Sequence, residues 1–188
     1  MLAAAAALAF CGTALAGLDP SNAYTDGGTT WVGTTNMAKG QLEADVDWVV
    51  NAPVLMNGQM QFEYLYQVKS LDSLPVILLT VNLLPGNAVD EVLGCGSFLT
   101  QAGDIAPSGA FLSGSPPSGA NWNFDGLVAG DDSYALNYWS INEPRNSSGL
   151  IQNGGLYADG ALPCPVPEPA SLSLLAVGLL ALVRRRRR

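Results

Sequence analysis

Hydrophobic and polar residues alternate with a period of two along two neighbouring runs of this chain. In residues 41–51 the apolar positions are Leu42, Ala44, Val46, Trp48 and Val50. In residues 60–69 they are Met60, Phe62, Tyr64, Tyr66 and Val68. Because successive side chains of a strand point to opposite faces of a sheet, this pattern predicts two half-buried strands. Trp48, Phe62, Tyr64 and Tyr66 are predicted to face the core.

A third run, residues 76–84, is apolar on both faces and rich in β-branched residues, which predicts a central strand. Weaker strand signals follow at residues 88–93, 97–100, 120–124, 133–140 and 156–162. Residues 103–119 are rich in glycine and proline, so we expect a long loop there.

Many short strands separated by turn residues, with no amphipathic helix among them, favour an all-β fold. Residues 17–165 have the length of one domain with a single core. We therefore predict one antiparallel β-sandwich over residues 17–165, of immunoglobulin-like or jelly-roll type, with about seven to eight strands.

The N-terminal residues 1–16 are apolar and end in small residues. Ala14 and Ala16 form the A-x-A pattern of a signal peptidase site, although no lysine or arginine precedes the apolar run. We expect residues 1–16 to be a signal helix that engages the Sec translocon and is removed by signal peptidase before Gly17.

The C-terminal residues combine three features in a fixed order. Pro167, Glu168 and Pro169 precede an uncharged stretch at 170–183, which is followed by Arg184, Arg185, Arg186, Arg187 and Arg188. A helix over 170–183 would be about 21 Å long, against about 30 Å for the hydrocarbon core of a bilayer. It can cross if the arginine stems snorkel to the headgroups, which leaves the charges on the cytoplasmic side. We predict a single transmembrane helix over 170–183 and a cytoplasmic stop signal at 184–188.

This order over residues 166–188 resembles the PEP-CTERM sorting signal of exported Gram-negative bacterial proteins. The resemblance implies that exosortase, an integral-membrane cysteine peptidase, recognises Pro167, Glu168 and Pro169 and removes the tail. It also implies release or re-attachment in an envelope rich in extracellular polysaccharide. A plain C-terminal membrane anchor is the alternative, and neither interpretation assigns an activity to the domain.

Charge and composition narrow the function of that domain. Residues 17–165 carry Lys39, Lys69 and Arg145 against fifteen carboxylates, a net charge of −12, which repels nucleic acids and other anionic polymers. The chain has no histidine, which is the commonest general base and a frequent zinc ligand. We therefore expect no nucleic-acid partner, no cofactor and no enzymatic activity.

Two acidic groups are candidate Ca²⁺ ligands: Glu43, Asp45 and Asp47 on one strand face, and Asp131 with Asp132 in a turn. Neither has the spacing of a known calcium loop. We expect an ordinary solvated strand face and an Asp-rich turn, without a bound metal.

Four aromatic residues, Trp31, Trp122, Tyr138 and Trp139, are candidates for stacking on sugar rings, with burial in the core as the alternative. Two function classes follow. One is a structural or adhesive, non-catalytic surface protein of the cell envelope or extracellular matrix. The other is a carbohydrate-binding module, or a carbohydrate-active one with paired carboxylates, that acts on extracellular polysaccharide.

Two cysteines, Cys95 and Cys164, lie outside the signal peptide and reach a compartment where disulfides persist. A bridge would close a loop of about 70 residues and stabilise the fold by at most about 4 kcal/mol in the chain-entropy model. The alternative is two unpaired thiols, because prolines on both sides of Cys164 hold it in an extended segment. We expect the disulfide.

Overall fold

A computed structural model describes residues 17–83 and 92–166. Within these residues a 3₁₀-helix at Pro20–Asn22 precedes thirteen β-strands, and there is no α-helix. The strands are β1 Thr25–Asp26, β2 Thr29–Thr30, β3 Val32–Lys39, β4 Leu42–Val50, β5 Val54–Met56, β6 Gln59–Ser70, β7 Val76–Asn82, β8 Val92–Phe98, β9 Gly109–Ser113, β10 Gly119–Leu127, β11 Ala135–Ser140, β12 Pro144–Asn153 and β13 Leu156–Pro165.

The strands form two large antiparallel sheets and one short ribbon. The six-stranded sheet has the order β3-β4-β6-β11-β8, with β5 paired to the beginning of β6. The five-stranded sheet has the order β13-β12-β7-β10-β9, and β1 pairs with β2. Where the sheets face each other, β13 contacts β3 at one edge and β9 contacts β8 at the other. The prediction of an all-β fold with antiparallel sheets is confirmed.

The period-two pattern accounts for the face of the six-stranded sheet that turns inward. Leu42, Ala44, Val46 and Val50 of β4 are fully buried, as are Tyr64, Tyr66 and Val68 of β6. The apolar run at 76–84 becomes β7, the central strand of the five-stranded sheet. Met60, predicted to face inward, is 51 % exposed because it lies in the β5–β6 hairpin.

Trp48 lies on the inward side of β4 but is only half-buried. Its ring covers Gly33 of the neighbouring β3, where a Cβ atom would stand 2.6 Å from Trp48 Cζ2. The indole nitrogen donates a hydrogen bond to Thr35 Oγ1 at 3.2 Å. The ring therefore packs against the edge of the core, on the inward face that the alternation predicts.

The structure contains more strands than the seven to eight predicted. β9 falls inside the stretch predicted as a loop, and neither β3 nor β12 was predicted. β12 is polar over much of its length, but it is held by ladders to β13 on one side and β7 on the other. These strands are held in place by backbone hydrogen bonds, which the pattern of apolar residues in the sequence does not show.

Four aromatic side chains fill the space between the sheets: Tyr64, Tyr66 and Tyr138 from the six-stranded sheet and Trp122 from the five-stranded sheet. Tyr66 Oη donates to Pro163 O of β13 at 2.6 Å, so the Tyr138 hydroxyl 3.0 Å away is the donor to Tyr66. Trp122 Nε1 donates to Gly96 O of β8 at 2.8 Å. These hydrogen bonds join the two sheets within the core.

A second apolar cluster covers the outer face of the six-stranded sheet. It consists of Leu18, Val49, Leu65 and Ala135, each 5 % exposed or less. Leu18 brings the beginning of the described chain onto the sheet, and Ala52 N donates to Asn22 O at 2.8 Å a few residues later. The outer face is thereby partly covered by the chain that precedes β1.

Several predicted segments lie outside the described residues. They are the signal helix at 1–16 with Ala14 and Ala16, the tripeptide Pro167–Glu168–Pro169, the transmembrane helix at 170–183 and the arginines 184–188. Within 17–83 and 92–166, no helix has the length and apolar character needed to cross a membrane.

Candidate functional site

A surface pocket among the described residues opens on the outer face of the six-stranded sheet. Its volume is about 380 Å³, and it is lined by Asn22, Asn51, Ala52, Pro53, Val54, Glu63 and Trp139. Asn22 ends the 3₁₀-helix, residues 51–53 link β4 to β5, and Val54 begins β5. Glu63 and Trp139 belong to the adjacent strands β6 and β11.

Strand alternation explains why two of these residues point into the pocket. Glu63 of β6 and Trp139 of β11 are register partners, so their side chains leave the sheet on the same face. Their neighbours Tyr64 and Tyr138 point the opposite way and stack in the core with ring centroids 4.9 Å apart. One pair of strands thus supplies both the core and the pocket.

The Glu63 carboxylate is held in place by two amides. Its Oε2 accepts a hydrogen bond from Asn51 Nδ2 at 3.0 Å, and its Oε1 accepts one from Asn137 Nδ2 at 3.0 Å. Asn51 is itself fixed, since its backbone N–H donates to Glu63 O at 2.9 Å. The Asn51 Oδ1 atom is buried and has no hydrogen-bond partner among the described residues. The pocket therefore offers fixed acceptors beside an indole ring.

Such a set of groups is suited to binding a polar ligand that has an apolar face. The half-buried Trp139 ring offers a flat surface for stacking, and the Glu63 carboxylate accepts hydrogen bonds from hydroxyl groups. Glu63 is the single carboxylate among the lining residues of this pocket.

The four aromatic candidates separate into two groups. Trp122 and Tyr138 are fully buried, and Trp31 is half-buried against the same core. Trp139 is the one of the four that lines the pocket. Three of the four residues therefore pack in or against the core, and Trp139 remains a candidate for stacking.

The acidic residues proposed as metal ligands bind their neighbours in the sheet instead. Asn36 Nδ2 donates to Glu43 Oε1 at 3.1 Å and to Asp45 Oδ1 at 2.9 Å, and the Thr34 hydroxyl donates to Asp47. Asp131 Oδ2 accepts a hydrogen bond from Val128 N at 3.0 Å across the turn. No group of three or more metal-binding side chains occurs among the residues that the structure describes.

The two cysteines lie far apart in the topology, and no disulfide joins them. Cys95 is in β8 and Cys164 is in β13, which form opposite edges of the sandwich. The Cys95 thiol donates to Asn121 O at 3.6 Å, and burial raises its pKa to about 11. Cys95 is therefore a protonated thiol of low reactivity at neutral pH.

Sequence reasoning missed Glu63, Asn51 and the other polar groups of the pocket. One signal was present in the sequence. Glu63 is a carboxylate on the outward side of β6, where its neighbours on the same face are Gln61 and the apolar Leu65. The other lining residues come from the end of the 3₁₀-helix, the β4–β5 link, the beginning of β5 and β11, and only the folded chain brings them to Glu63.

A comparison with known families matches residues 165–188 to the PEP-CTERM protein-sorting motif. The match covers the tail that contains Pro167, Glu168 and Pro169, and it confirms the resemblance found in the sequence. No curated protein and no solved structure matches the chain. The folded domain is therefore not assigned by similarity.

Proposed function

Because residues 165–188 match the PEP-CTERM protein-sorting motif, we propose that the protein is a non-catalytic surface protein with a structural or adhesive role in the cell envelope or extracellular matrix. The sorting motif carries the proposal, since it directs an exported protein to an exosortase for processing. The β-sandwich ends where this motif begins, because β13 extends to Pro165. The sandwich is thus the cargo that the tail delivers.

The precursor in this proposal has two membrane-directed ends. Residues 1–16 lead the chain through the Sec translocon, and signal peptidase cuts after Ala16. Residues 170–183 then hold the precursor in the membrane, with Arg184 to Arg188 in the cytoplasm. Exosortase finally acts at Pro167–Glu168–Pro169 and sends the domain to the cell surface.

Several features support a non-catalytic role. The chain contains no histidine. The pocket is lined by one carboxylate, Glu63, whereas glycoside hydrolysis uses two, about 5 to 10 Å apart. Both oxygens of the Glu63 carboxylate also already accept a hydrogen bond from an asparagine amide.

Of the two sandwich types predicted, we propose the jelly roll. From β6 to β8 the chain alternates between the sheets, and it does so again from β10 to β12. The central strand orders β6-β11-β8 and β12-β7-β10 are the consequence. Such alternation is typical of the paired Greek keys of a jelly roll.

The pocket supports a second candidate function, the binding of an extracellular polysaccharide. Trp139 provides a stacking surface, and the Glu63 carboxylate provides acceptors for hydroxyl hydrogens. A net charge of −12 over residues 17–165 disfavours acidic polymers, so the ligand class is a neutral sugar.

The sorting proposal is tested with Glu168→Ala in cells that contain an exosortase. We expect export and folding to be unchanged while the tail stays attached, because the motif has lost its carboxylate. The protein then stays in the membrane fraction and is about 2 kDa heavier than the processed form, the mass of a segment of about 20 residues. Asp125→Ala, at an exposed position in β10, is the matched control and is processed normally. Normal processing of the Glu168 variant would show that the tail is only an anchor.

The sugar proposal is tested by glycan-array binding of the purified protein, with neutral and acidic glycans on the same array. We expect Trp139→Ala to weaken binding of a neutral glycan about tenfold, the loss of one stacking contact. Tyr157→Ala is the control, since Tyr157 is 50 % exposed and stacks with Lys39 away from the pocket. Equal binding by the Trp139 variant and the wild type excludes this pocket as the sugar site.

A further inference from the structure

The first described residues are anchored on the outer face of the six-stranded sheet, at the end away from the pocket. Leu18 is 5 % exposed and packs with Val49, Leu65 and Ala135. This contact fixes the neighbouring Gly17 beside Gln67 of β6 and Thr100, which follows β8. Gly17 is also the residue that becomes the N-terminus if signal peptidase cuts after Ala16.

Gln67 is a buried amide with half of its hydrogen-bonding capacity unused. It is 2 % exposed, and its Nε2 faces three acceptors: Ser133 O at 2.8 Å, Thr100 Oγ1 at 3.2 Å and Asp104 Oδ2 at 3.3 Å. These acceptors fix the orientation of the amide. Its Oε1 is buried and has no partner among the described residues. A buried acceptor without a donor is unfavourable, so this oxygen points to a missing donor.

The geometry at Gly17 shows where such a donor would lie. A substituent built on its Cα in the Cβ direction stands 3.1 Å from Gln67 Oε1 and 3.2 Å from Thr100 Oγ1. Both are N–H···O hydrogen-bond distances. Once residue 16 is removed, rotation about the Cα–C bond of Gly17 brings the terminal nitrogen into this tetrahedral direction. The two oxygens are therefore in reach of the nitrogen of a cleaved chain.

We propose that the α-ammonium group of Gly17, created by signal peptidase, binds in a site formed by Gln67 Oε1, Thr100 Oγ1 and the Asp104 carboxylate. Hydrolysis of the Ala16–Gly17 peptide bond consumes one water and leaves a carboxylate on Ala16 and an ammonium on Gly17. The ammonium has three donors and a positive charge, whereas the intact peptide has one N–H and no charge. The inference rests on the proposed cleavage after Ala16.

The charges around the site favour a cation. Asp104 Oδ2 accepts hydrogen bonds from the Thr100 hydroxyl, Gln101 N and Gln67 Nε2. Nearby Asp132 has a raised pKa because it is partly buried, with further increases from Asp104, Asp47 and Asp131, while Lys69 opposes them. An ammonium beside Asp104 supplies a positive charge where four carboxylates are grouped.

Glycine is the residue that this site requires. Gly17 has φ of 91°, and a Cβ atom would stand 3.0 Å from Thr100 Cβ. In the described backbone conformation, any larger residue at position 17 would therefore crowd Thr100. The small residue after the cleavage site is thus explained by the folded domain as well as by the peptidase.

The experiment uses the full-length chain in detergent. A recognition site for a specific protease is inserted between Ala16 and Gly17, so that cleavage leaves Gly17 as the first residue. We expect cleavage to raise the melting temperature by about 3 to 6 °C, as charged hydrogen bonds form in a domain of this size. In Asp104→Asn the same cleavage shifts it by less than about 1 °C. The control Asp125→Asn removes an exposed carboxylate and keeps the full shift.

A second measurement needs no substitution. In the cleaved, folded chain, an amine-acylating reagent at neutral pH acetylates Gly17 at least about tenfold more slowly than in denaturant, because its ammonium is bound. Chain acetylated at Gly17 while unfolded regains its fold without the gain in melting temperature. The proposal is overturned if Gly17 is acetylated at equal rates in the folded and denatured chains. It is also overturned if cleavage leaves the melting temperature of the folded chain unchanged. Amino-terminal sequencing of the exported protein tests the cleavage site separately, so failure there is distinguishable.

Discussion

Three buried tyrosines are expected to make the free energy of unfolding depend on pH. Burial raises the pKa values of Tyr64, Tyr66 and Tyr138 above their usual range, so the folded state retains these protons where the unfolded chain loses them. Their contribution to stability is complete below the unfolded pKa of about 10 and is lost as the pH rises above it. We expect the free energy of unfolding, measured with urea, to fall by up to about 4 kcal/mol per pH unit above about pH 10.

The control for the tyrosine prediction is a pair of phenylalanine variants. Tyr66→Phe removes one ionisable group of the core and reduces that slope by about one third. Tyr157→Phe, at a position 50 % exposed, leaves the slope unchanged. A free energy that stays constant up to about pH 11 would mean that the tyrosinates are accommodated in the folded state.

The tryptophans differ in burial, and the cost of removing them differs accordingly. Trp122 is fully buried and donates a hydrogen bond to Gly96 O, whereas Trp48 is half-buried over Gly33. We expect Trp122→Ala to cost about 3 to 5 kcal/mol of unfolding free energy and Trp48→Ala roughly half as much. Urea unfolding measures both, and equal costs would contradict the packing described for Trp48.

At the scale of residues, the sequence predicts which face of a strand a side chain occupies better than it predicts which residues that side chain contacts. The inward positions of Phe62, Tyr64 and Tyr66 follow from alternation alone, and the structure has them buried. The exposure of Trp48 depends on β3, a strand that was not predicted. Trp139 and Tyr138 are adjacent in the chain, and only the phase of β11 decides which one lines the pocket.

At the scale of elements, the β12–β13 hairpin packs closely against β3 because of one glycine. Gly160 of β13 is the register partner of Gly149, and a Cβ atom there would stand 2.6 Å from Thr35 Cγ2 and 3.0 Å from Met37 Cγ. We expect Gly160→Ala to cost about 1 to 3 kcal/mol in urea unfolding, since β3 has to move.

Gly155, in the turn of the same hairpin, is the matched control. It has open space around its Cα, and it is not among the glycines with positive φ. Gly155→Ala is therefore neutral or stabilises the fold by up to about 1 kcal/mol. If both alanine variants have the same stability, the close approach of β13 to β3 is incorrect.

Elements with an apolar pattern were predictable, and elements held by pairing were not. β4 and β6 show their inward face in the sequence and β7 its central place, whereas β9 and β12 are placed by ladders to β10, β7 and β13. The pocket falls in the second class, because the β4–β5 link and the end of the 3₁₀-helix at Asn22 meet Glu63 only after the sheet has formed.

At the scale of the whole molecule, the sandwich keeps its two cysteine-bearing strands at opposite edges. We therefore expect the melting temperature of the exported protein to be unchanged by a reductant. Thiol titration gives two groups after unfolding and a slow reaction before it, because Cys164 is fully buried and Cys95 is a protonated thiol. The disulfide predicted from the sequence would instead give no thiol until reduction, together with a lower melting temperature in reductant.

The path of β13 also has a consequence for the order of events during maturation. β13 remains paired with β12 up to Pro165, Tyr66 binds Pro163 O, and Val166 N donates to Glu143 O at 3.1 Å. The last of these contacts is therefore made by the residue that directly precedes Pro167, which leaves almost no free chain for a membrane peptidase to bind. Tail removal and folding compete in time: either the peptidase acts before β13 docks, or the end of β13 has to detach first. The rate of tail removal then depends on how fast and how firmly the end of β13 docks. Variants that loosen the end of β13 are cut sooner than the wild type.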